Sequence, residues 1–266
     1  MAVTTLAPPA RSSRRGLLIG GVLVAALVAL HVYAWQETDF SLSALVKGWH
    51  GMVDFVGQAL PPDPSVVRPG IDAALVTLCI GLLGTTLSIP FALALAVLGA
   101  RTTAPNVGVY QASRSLLSFL RAVPDVVFAL IFVTAVGLGP FPGVLALIVH
   151  NTGVMGKLWS EAIEETDLGP VDALRINGAS GPQVVTNAVL PAVVPQFVGL
   201  LLYRFDVNVR ASLVLGLVGA GGIGFLINQS IQLFRFDQML TYILIVLVLI
   251  IAVDLLSASV RRRLNA

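Results

Sequence analysis

Apolar runs long enough to cross a lipid bilayer recur along the whole chain and leave only short polar stretches between them. The first extends from Leu17 to Trp35, close to the roughly 20 residues that a spanning helix needs. Of the 266 residues, 56% are hydrophobic and 11% are charged, and the mean hydropathy is +0.91. Soluble domains carry about 25% charged residues. The sequence therefore predicts an all-α integral membrane protein. Its expected partner is the lipid bilayer, and no nucleic-acid binding is expected.

Six runs are expected to span the membrane. They are Leu17–Trp35, Ile71–Ala100, Ala122–Leu138, Val144–Trp159, Ala192–Val218 and Met239–Val260. Pro90 predicts a kink or tilt in the second run. The Gly- and Pro-rich segment 139–143 predicts a tight turn between the third and fourth runs, and segment 219–238 is expected to be a loop.

The positive charges follow this pattern of spans. The positions expected inside are Arg11, Arg14, Arg15, Arg101, Arg114, Arg121, Lys157, Arg175, Arg261, Arg262 and Arg263, and those outside are Lys47, Arg68 and Arg235. Positive loops stay in the cytoplasm. We therefore predict a bacterial inner-membrane protein with both termini cytoplasmic.

The same pattern predicts the division of the chain. The expected parts are a cytoplasmic tail (1–16), a first spanning helix (17–35), an extracytoplasmic segment (36–69), a five-helix core (70–260) and a second cytoplasmic tail (261–266). Residues 42–60 of the extracytoplasmic segment are amphipathic and predict a surface helix. Residues 160–191 of the core form a cytoplasmic loop.

That cytoplasmic loop contains the start and stop signals of two short helices. Pro170 suits a first helical turn, and Asn177-Gly178 suits a left-handed helix stop. Ser180, followed three residues later by Gln183, predicts a capping box that begins a second helix towards Leu190-Pro191. Apolar residues are available for one face of this hairpin, namely Val171, Leu174, Val184, Val185 and Val189. We interpret the hairpin as a docking surface.

The loop resembles the "EAA" loop of permease subunits in binding-protein-dependent ABC importers. The family pattern is E-A-A, three residues, G, and later I-x-L-P. Here Asp172 replaces the Glu and Leu174 replaces the second Ala, but the spacing is intact. The matching positions, which the resemblance assigns to coupling with a separate ATPase, are Asp172, Ala173, Leu174, Arg175, Gly178, Ala179, Ser180, Leu190 and Pro191.

The resemblance also implies an architecture and partners. It implies the MetI-like permease fold of type I ABC importers, a second copy of the chain, two ATPase subunits and an extracytoplasmic binding protein. ATP and Mg would then be bound by the ATPase subunits, and this chain would bind no cofactor. The sequence itself shows no Walker A motif, no metal-ligand cluster and no catalytic set, so we expect a transport subunit and not an enzyme.

Ionisable residues within the fifth run are the most informative chemistry. Arg204, Asp206 and Arg210 lie within seven residues, although each costs about 2.5–3.5 kcal/mol at a helix centre. Asp206 can pair with Arg210, and Arg204 with Asn208, on faces about 200° apart. Two interpretations are open: internal bonds that fix this helix to its neighbours, or an anion pathway to which Arg204 contributes its guanidinium. His150 and Asn151 likewise either contact cargo or bond between helices.

The segment R-F-D-V-N-V-R-A-S, followed by V-L-G-L-V-G-A-G-G-I-G, resembles the phosphonate-type permeases. This resemblance implies that the cargo is phosphonate, phosphite or phosphate, delivered by a phosphonate-binding protein. Gly219, Gly221, Gly222 and Gly224 satisfy a dinucleotide fingerprint only formally, and we predict that they allow close packing at the outer mouth. The alternative function, an ion-coupled secondary anion carrier, predicts an inverted repeat that the spans do not show.

Overall fold

The computed structural model describes residues 14–264, which form helices and contain no strand. The helices are α1 (Arg14–Glu37), α2 (Leu42–Ala59), α3 (Val67–Leu98), α4 (Val107–Ala122), α5 (Asp125–Val136), α6 (Pro140–Glu164), α7 (Leu168–Ile176), α8 (Gly181–Val184), α9 (Leu190–Leu217), α10 (Gly222–Gln232) and α11 (Phe236–Leu264). A 3₁₀ turn (Pro64–Val66) precedes α3, and a π-helical turn (Val185–Val189) joins α8 to α9. The predicted N-terminal tail lies outside the described residues as far as position 13.

The chain separates into two compact units, one up to Phe55 and one from Val56 onward. In the first unit α1 is apolar on every side, and its large side chains are exposed. Such a helix is suited to lipid or to another membrane protein. The amphipathic helix predicted over 42–60 is present as α2. The proposed division at 69/70 stays a prediction.

In the second unit α3 lies at the centre of the bundle. It contributes Ala96, Ile80 and Ala74, respectively, to three hydrophobic clusters, which it shares with α6, α9 and α11 among others. Apart from Ile80, its buried residues are Gly, Ala, Ser and Thr. At Gly84 a Cβ atom would collide with Leu147 of α6, so the two backbones approach as closely as small residues permit.

Four helical stretches of the described residues are long and apolar enough to cross a membrane, namely Leu18–Ala59, Pro64–Leu98, Gly181–Gln232 and Phe236–Val260. The pair α4 and α5, bent by 84°, makes a fifth if it is one broken span. Helix α6 has 25 residues, which is enough to span the bilayer. Its polar and charged residues lower its mean hydropathy, so it is not among the four apolar stretches. The six spans expected from the sequence correspond to these five stretches and α6.

Three predicted boundaries are wrong. The third run begins later than expected, because Ala122 is the last residue of α4 and the chain breaks at Val123-Pro124, and α5 with 12 residues is only about 18 Å long. The turn after it ends at Gly139, because Pro140 is already the first residue of α6, where its missing N–H is harmless. The expected loop 219–238 contains α10, an 11-residue helix.

Candidate functional site

The predicted helical hairpin is present between α6 and α9. Asp167 caps α7 by accepting a hydrogen bond from the Gly169 N–H at 3.0 Å. Gly178 has a φ of +80° and ends α7 in the left-handed conformation. The Ser180 N–H donates to Gln183 Oε1 at 2.8 Å in the predicted capping box. The local signals in the sequence thus fix the shape of the hairpin.

The apolar residues of the hairpin face inward and not outward. Val171, Val184 and Val189 are buried against Trp159 of α6 and Phe197 of α9, whose rings stack at 4.5 Å. These side chains lie on one face of the hairpin, as predicted, and that face is turned towards the bundle. They fix the hairpin to the bundle because burial removes their apolar surface from water.

The exposed surface of the hairpin consists of other residues. Asp172 and Ala173 are exposed, and Ile176 is 86% exposed, the largest value among the large hydrophobic residues of the described chain. Asp172 lies 3.7 Å from Arg175, which also donates to the Thr102 carbonyl oxygen at 3.0 Å.

The second arm of the hairpin is continuous with a spanning helix. Helix α8 passes through the π-helical turn into α9 without leaving helical geometry, so Leu190 and Pro191 begin α9. Helix α9 thus begins within two residues of Ala192, near which the fifth span is expected to start. Because one helical run extends from Gly181 to Leu217, the hairpin and the charged residues of α9 belong to one element.

Arg204 lies in a buried polar cluster between α9, α6 and α3. Its Nε and Nη2 donate to Asn151 Oδ1 at 3.1 and 2.6 Å, and Nη2 also reaches Asn208 Oδ1 at 3.4 Å. Asn208 in turn donates to Thr85 Oγ1 at 2.7 Å. Arg204 is only 9% exposed, and no ion pair among the described residues includes it. All of the hydrogen bonds of its guanidinium within the described chain are therefore to amide oxygens.

Asn151 is the most constrained member of this cluster. Its side chain is fully buried, and its Nδ2 atom has no hydrogen-bond partner among the described residues. A buried N–H group without an acceptor costs about 1–3 kcal/mol. The cluster thus combines a positive charge with one donor that has no acceptor among the described residues.

The second pair of α9 faces elsewhere, as predicted. Arg210 donates to both carboxylate oxygens of Asp206, at 3.0 and 2.9 Å, and also to Asp254 of α11. The contact with Asp254 could not be predicted from the sequence, because a partner on a distant helix leaves no local signal. This ion pair joins α9 to α11.

His150 lies beside the break in the α4–α5 pair. Its Nδ1 is 3.2 Å from the Val123 carbonyl oxygen, at the end of α4. Asp125, the first residue of α5, bonds its own helix through the Val126 N–H at 2.9 Å and interacts electrostatically with His150 and Arg204. His150 and Asn151 therefore bond between helices; whether either also contacts cargo stays a prediction.

The glycines after α9 permit a tight reversal into α10. Gly219, Gly221 and Gly222 have φ values of +97°, +76° and +71°, which favour glycine. At Gly224 a Cβ atom would collide with the Leu213 carbonyl oxygen. Close packing by these glycines agrees with their predicted role, whereas their position at an outer mouth stays a prediction.

Two contacts of the polar residues of α9 could not be found from sequence. Thr85 and Asp254, which bond Asn208 and Arg210, lie on helices distant in sequence from α9. Among the described residues, no group of His, Cys, Asp and Glu could hold a metal ion.

A helical membrane bundle with a fixed hairpin and an internal polar cluster defines the permease class of transport subunit. Residues 73–266 match the family described as "Binding-protein-dependent transport system inner membrane component", and the chain belongs to this family. It is a multi-pass inner-membrane protein, and its family works with ATPase and binding-protein partners. It is a transport subunit and not an enzyme, as the sequence predicted.

Similar proteins agree with this assignment. The chain is 40% identical over 228 residues to the phosphite transport system permease protein PtxC of Stutzerimonas stutzeri, covering 86% of this chain and 83% of that protein. It is 41% identical over 234 residues to the phosphate-import permease protein PhnE of Mycolicibacterium smegmatis, covering 87% of this chain but only 43% of that protein.

Solved structures support the fold. The chain is similar to a permease chain in inward-facing conformations of the MetNI methionine ABC transporter, with a TM-score of 0.61, 21% identity and coverage of 75% of this chain and 95% of that one. A bacterial alginate importer gives a TM-score of 0.60 at 15% identity, covering 95% and 98%. The predicted MetI-like permease fold is confirmed.

Proposed function

We propose that this chain imports a phosphorus oxyanion, such as phosphite or a phosphonate, through a pathway that includes Arg204. The observation that carries the proposal is the buried guanidinium, which is held by amide oxygens and lies beside the unpartnered Nδ2 of Asn151. Guanidinium matches the geometry of phosphate-like oxygens. The names of the relatives, which specify phosphite and phosphate transport, support the same class of cargo.

The remaining polar residues have supporting roles in this proposal. Asn208 and Thr85 orient Arg204, and Asp206 with Arg210 fixes α9 against α11. The cargo is passed on by an extracytoplasmic phosphonate-binding protein. Two copies of the chain form the pathway, and both termini lie in the cytoplasm.

Energy for transport comes from two partner ATPase subunits, which bind the ATP and Mg. The exposed side of the hairpin, with Asp172, Arg175 and Ile176, docks on them. Because the second arm of the hairpin continues into α9, movement of the ATPase reaches the helix that carries Arg204. ATP binding thus switches a rigid-body equilibrium between outward-open and inward-open states. Family membership favours this mechanism over the ion-coupled carrier.

The test is reconstitution of the chain with its ATPase and binding protein in liposomes. We expect uptake of radiolabelled phosphite only when ATP is present on the side of the membrane where the ATPase subunits lie. The lone chain should show no uptake. Gly178→Trp should abolish capture of the ATPase because a bulky side chain obstructs docking. Gly178→Asn is the matched control, since Asn tolerates the left-handed backbone. ATP-independent uptake by the lone chain would refute the proposal.

A further inference from the structure

A second group of charged residues joins helices at the hairpin end of the bundle. Arg114 of α4 donates from Nη1 to both carboxylate oxygens of Glu164 at 3.2 Å, and its Nη2 lies 3.7 Å from Glu161. Glu161 also pairs with Lys157 at 3.2 Å. We name Arg114, Glu161 and Glu164 the α4–α6 ion-pair cluster.

The cluster also holds the loop that follows α3. Glu164 accepts a hydrogen bond from the backbone N–H of Arg101 at 2.9 Å, and Arg114 donates to the Gly99 carbonyl oxygen at 3.3 Å. Tyr110 accepts a hydrogen bond from Arg101 Nε at 3.2 Å, and its ring lies 5.5 Å from both guanidinium groups. Arg114 and Glu164 are 22% and 26% exposed, so water screens their attraction only partly.

The cluster lies at the base of the hairpin. Glu164 is the last residue of α6, and the cap of α7 follows at Asp167. Arg175 of α7 contacts the same loop after α3 through the Thr102 carbonyl oxygen. The loop after α3 is therefore held at two separate points, by the end of α6 and by α7, and the end of α6 also holds α4 directly before the hairpin begins.

Helix α4 connects this base with the buried polar cluster. It ends at the 84° bend, where the Val123 carbonyl oxygen contacts His150, the neighbour of Asn151. A displacement of α4 along its axis must therefore move the bend against α6. The second arm of the hairpin continues into α9, which carries Arg204. The first arm follows α6, which carries Asn151, so the two arms lead to the two partners of the Arg204–Asn151 hydrogen bond.

We propose that Arg114 and Glu164 are positioning residues that make α4 move together with the hairpin. This inference rests on the proposed function, because it takes movement of the hairpin from the ATPase. The fork of Arg114 fixes direction as well as distance, since it engages Glu164, Glu161 and the Gly99 carbonyl at once. Neither residue contacts the transported anion.

The test compares Glu164→Gln with Glu165→Gln, its exposed neighbour, in the complete transporter. Glu164→Gln should leave ATPase capture and ATP hydrolysis intact, yet lower the phosphite imported per ATP by about tenfold, the order of effect of one charge-assisted hydrogen bond on a conformational population. Glu165→Gln should leave this ratio unchanged. Arg114→Lys, a milder change that keeps the charge but not the fork, should also lower it, and it serves if Glu164→Gln does not assemble.

A second measurement does not depend on the substrate. In a Cys79→Ala chain, spin labels at exposed Ser118 of α4 and Ser259 of α11 should change their separation when ATP binds. Glu164→Gln should remove that change, and Glu165→Gln should keep it. A full change in Glu164→Gln, or no change in the parent chain, overturns the inference. Failure of the parent transporter to import phosphite, with the ATP-dependent change intact, contradicts only the proposed cargo.

Discussion

At the scale of single residues, the pair Arg204 and Asn151 separates a structural role from a transport role. Asn151→Asp keeps the size of the side chain but gives the guanidinium a carboxylate partner at the same 2.6 Å position. The hydrogen bond, which the guanidinium already makes charge-assisted, becomes a buried ion pair, so thermal stability should be retained or raised. Uptake of phosphite should fall by at least about tenfold, since a carboxylate beside a bound anion costs several kcal/mol.

The two readouts are the melting temperature of the purified chain and uptake in reconstituted liposomes. Asn151→Ser, which keeps a neutral polar group, is the comparison. If Asn151→Asp were stable and transported at the rate of the parent chain, Arg204 would be a purely structural residue and the proposed pathway would have to be moved.

The glycines around the α9–α10 reversal allow a sharper test of packing. Gly224→Ala should destabilise the chain by about 1–3 kcal/mol, because the new Cβ meets the Leu213 carbonyl oxygen, which cannot give way without moving α9. The control is Gly199→Ala on α9, the helix that carries Leu213. Its new Cβ has no atom within 4 Å, so stability should change by less than about 1 kcal/mol. Thermal denaturation followed by size-exclusion chromatography measures both, and equal melting temperatures would contradict the close approach.

At the scale of elements, the start of α3 is joined to α11 through Asp63. Its carboxylate accepts hydrogen bonds from the Ser65 N–H at 2.8 Å and from Gln238 Nε2 at 3.2 Å, and its carbonyl oxygen accepts one from Thr241 at 3.0 Å. The hydrogen bonds from Ser65 hold the pKa of Asp63 below its usual value. A lowered pKa means that the ionised form stabilises the fold above the unfolded pKa of about 3.9, and that this contribution disappears as the pH falls through the folded pKa.

Asp63→Asn should therefore lower the melting temperature near pH 6, and the difference from the parent chain should shrink as the pH is reduced towards about 3. Asp72→Asn, which changes an exposed carboxylate of α3, is the matched control. A difference that stayed constant between the two pH values would show that the charge of Asp63 is not what stabilises this junction.

The elements that the sequence predicts well are those specified by local chemistry. The capping box of Ser180 and Gln183 and the left-handed stop at Gly178 each need only neighbours within a few residues. The pairs of α9 follow from helical spacing alone, which places Asp206 beside Arg210 and Arg204 beside Asn208. All of these predictions are confirmed in the structure.

The elements that the sequence misses are set by tertiary contacts. The short length of α5 is one of these, because the apolar run continues through Gly137 and Leu138 and hydropathy alone does not show that the helix ends at Val136. Helix α10 lies in a glycine-rich segment whose turns depend on the approach of Leu213 and Pro140. Asn151 is recognisable as a buried polar residue, but its bond to Arg204 needs the packing of α6 on α9.

At the scale of the whole molecule, the two ends of the bundle differ in their bonds. The hairpin end is held by the α4–α6 ion-pair cluster and by the Arg175 contact with the loop after α3. The opposite end is held by glycine packing and by the neutral donors around Asp63. A bundle that is ionically joined at one end can pass on a force applied there while its other end opens and closes by sliding of packed helices.

This asymmetry gives a prediction about orientation, because positive residues favour the cytoplasmic side. In a Cys79→Ala chain, a cysteine at exposed Asn177 of the hairpin should react with a membrane-impermeant maleimide only in inverted vesicles. A cysteine at exposed Gln232, at the end of α10, should react only in intact spheroplasts. Labelling of each in permeabilised cells provides the control for reactivity. Reaction of Asn177→Cys from outside would place the hairpin on the opposite side of the membrane from the ATPase subunits. That result would contradict the proposed route by which ATP moves Arg204.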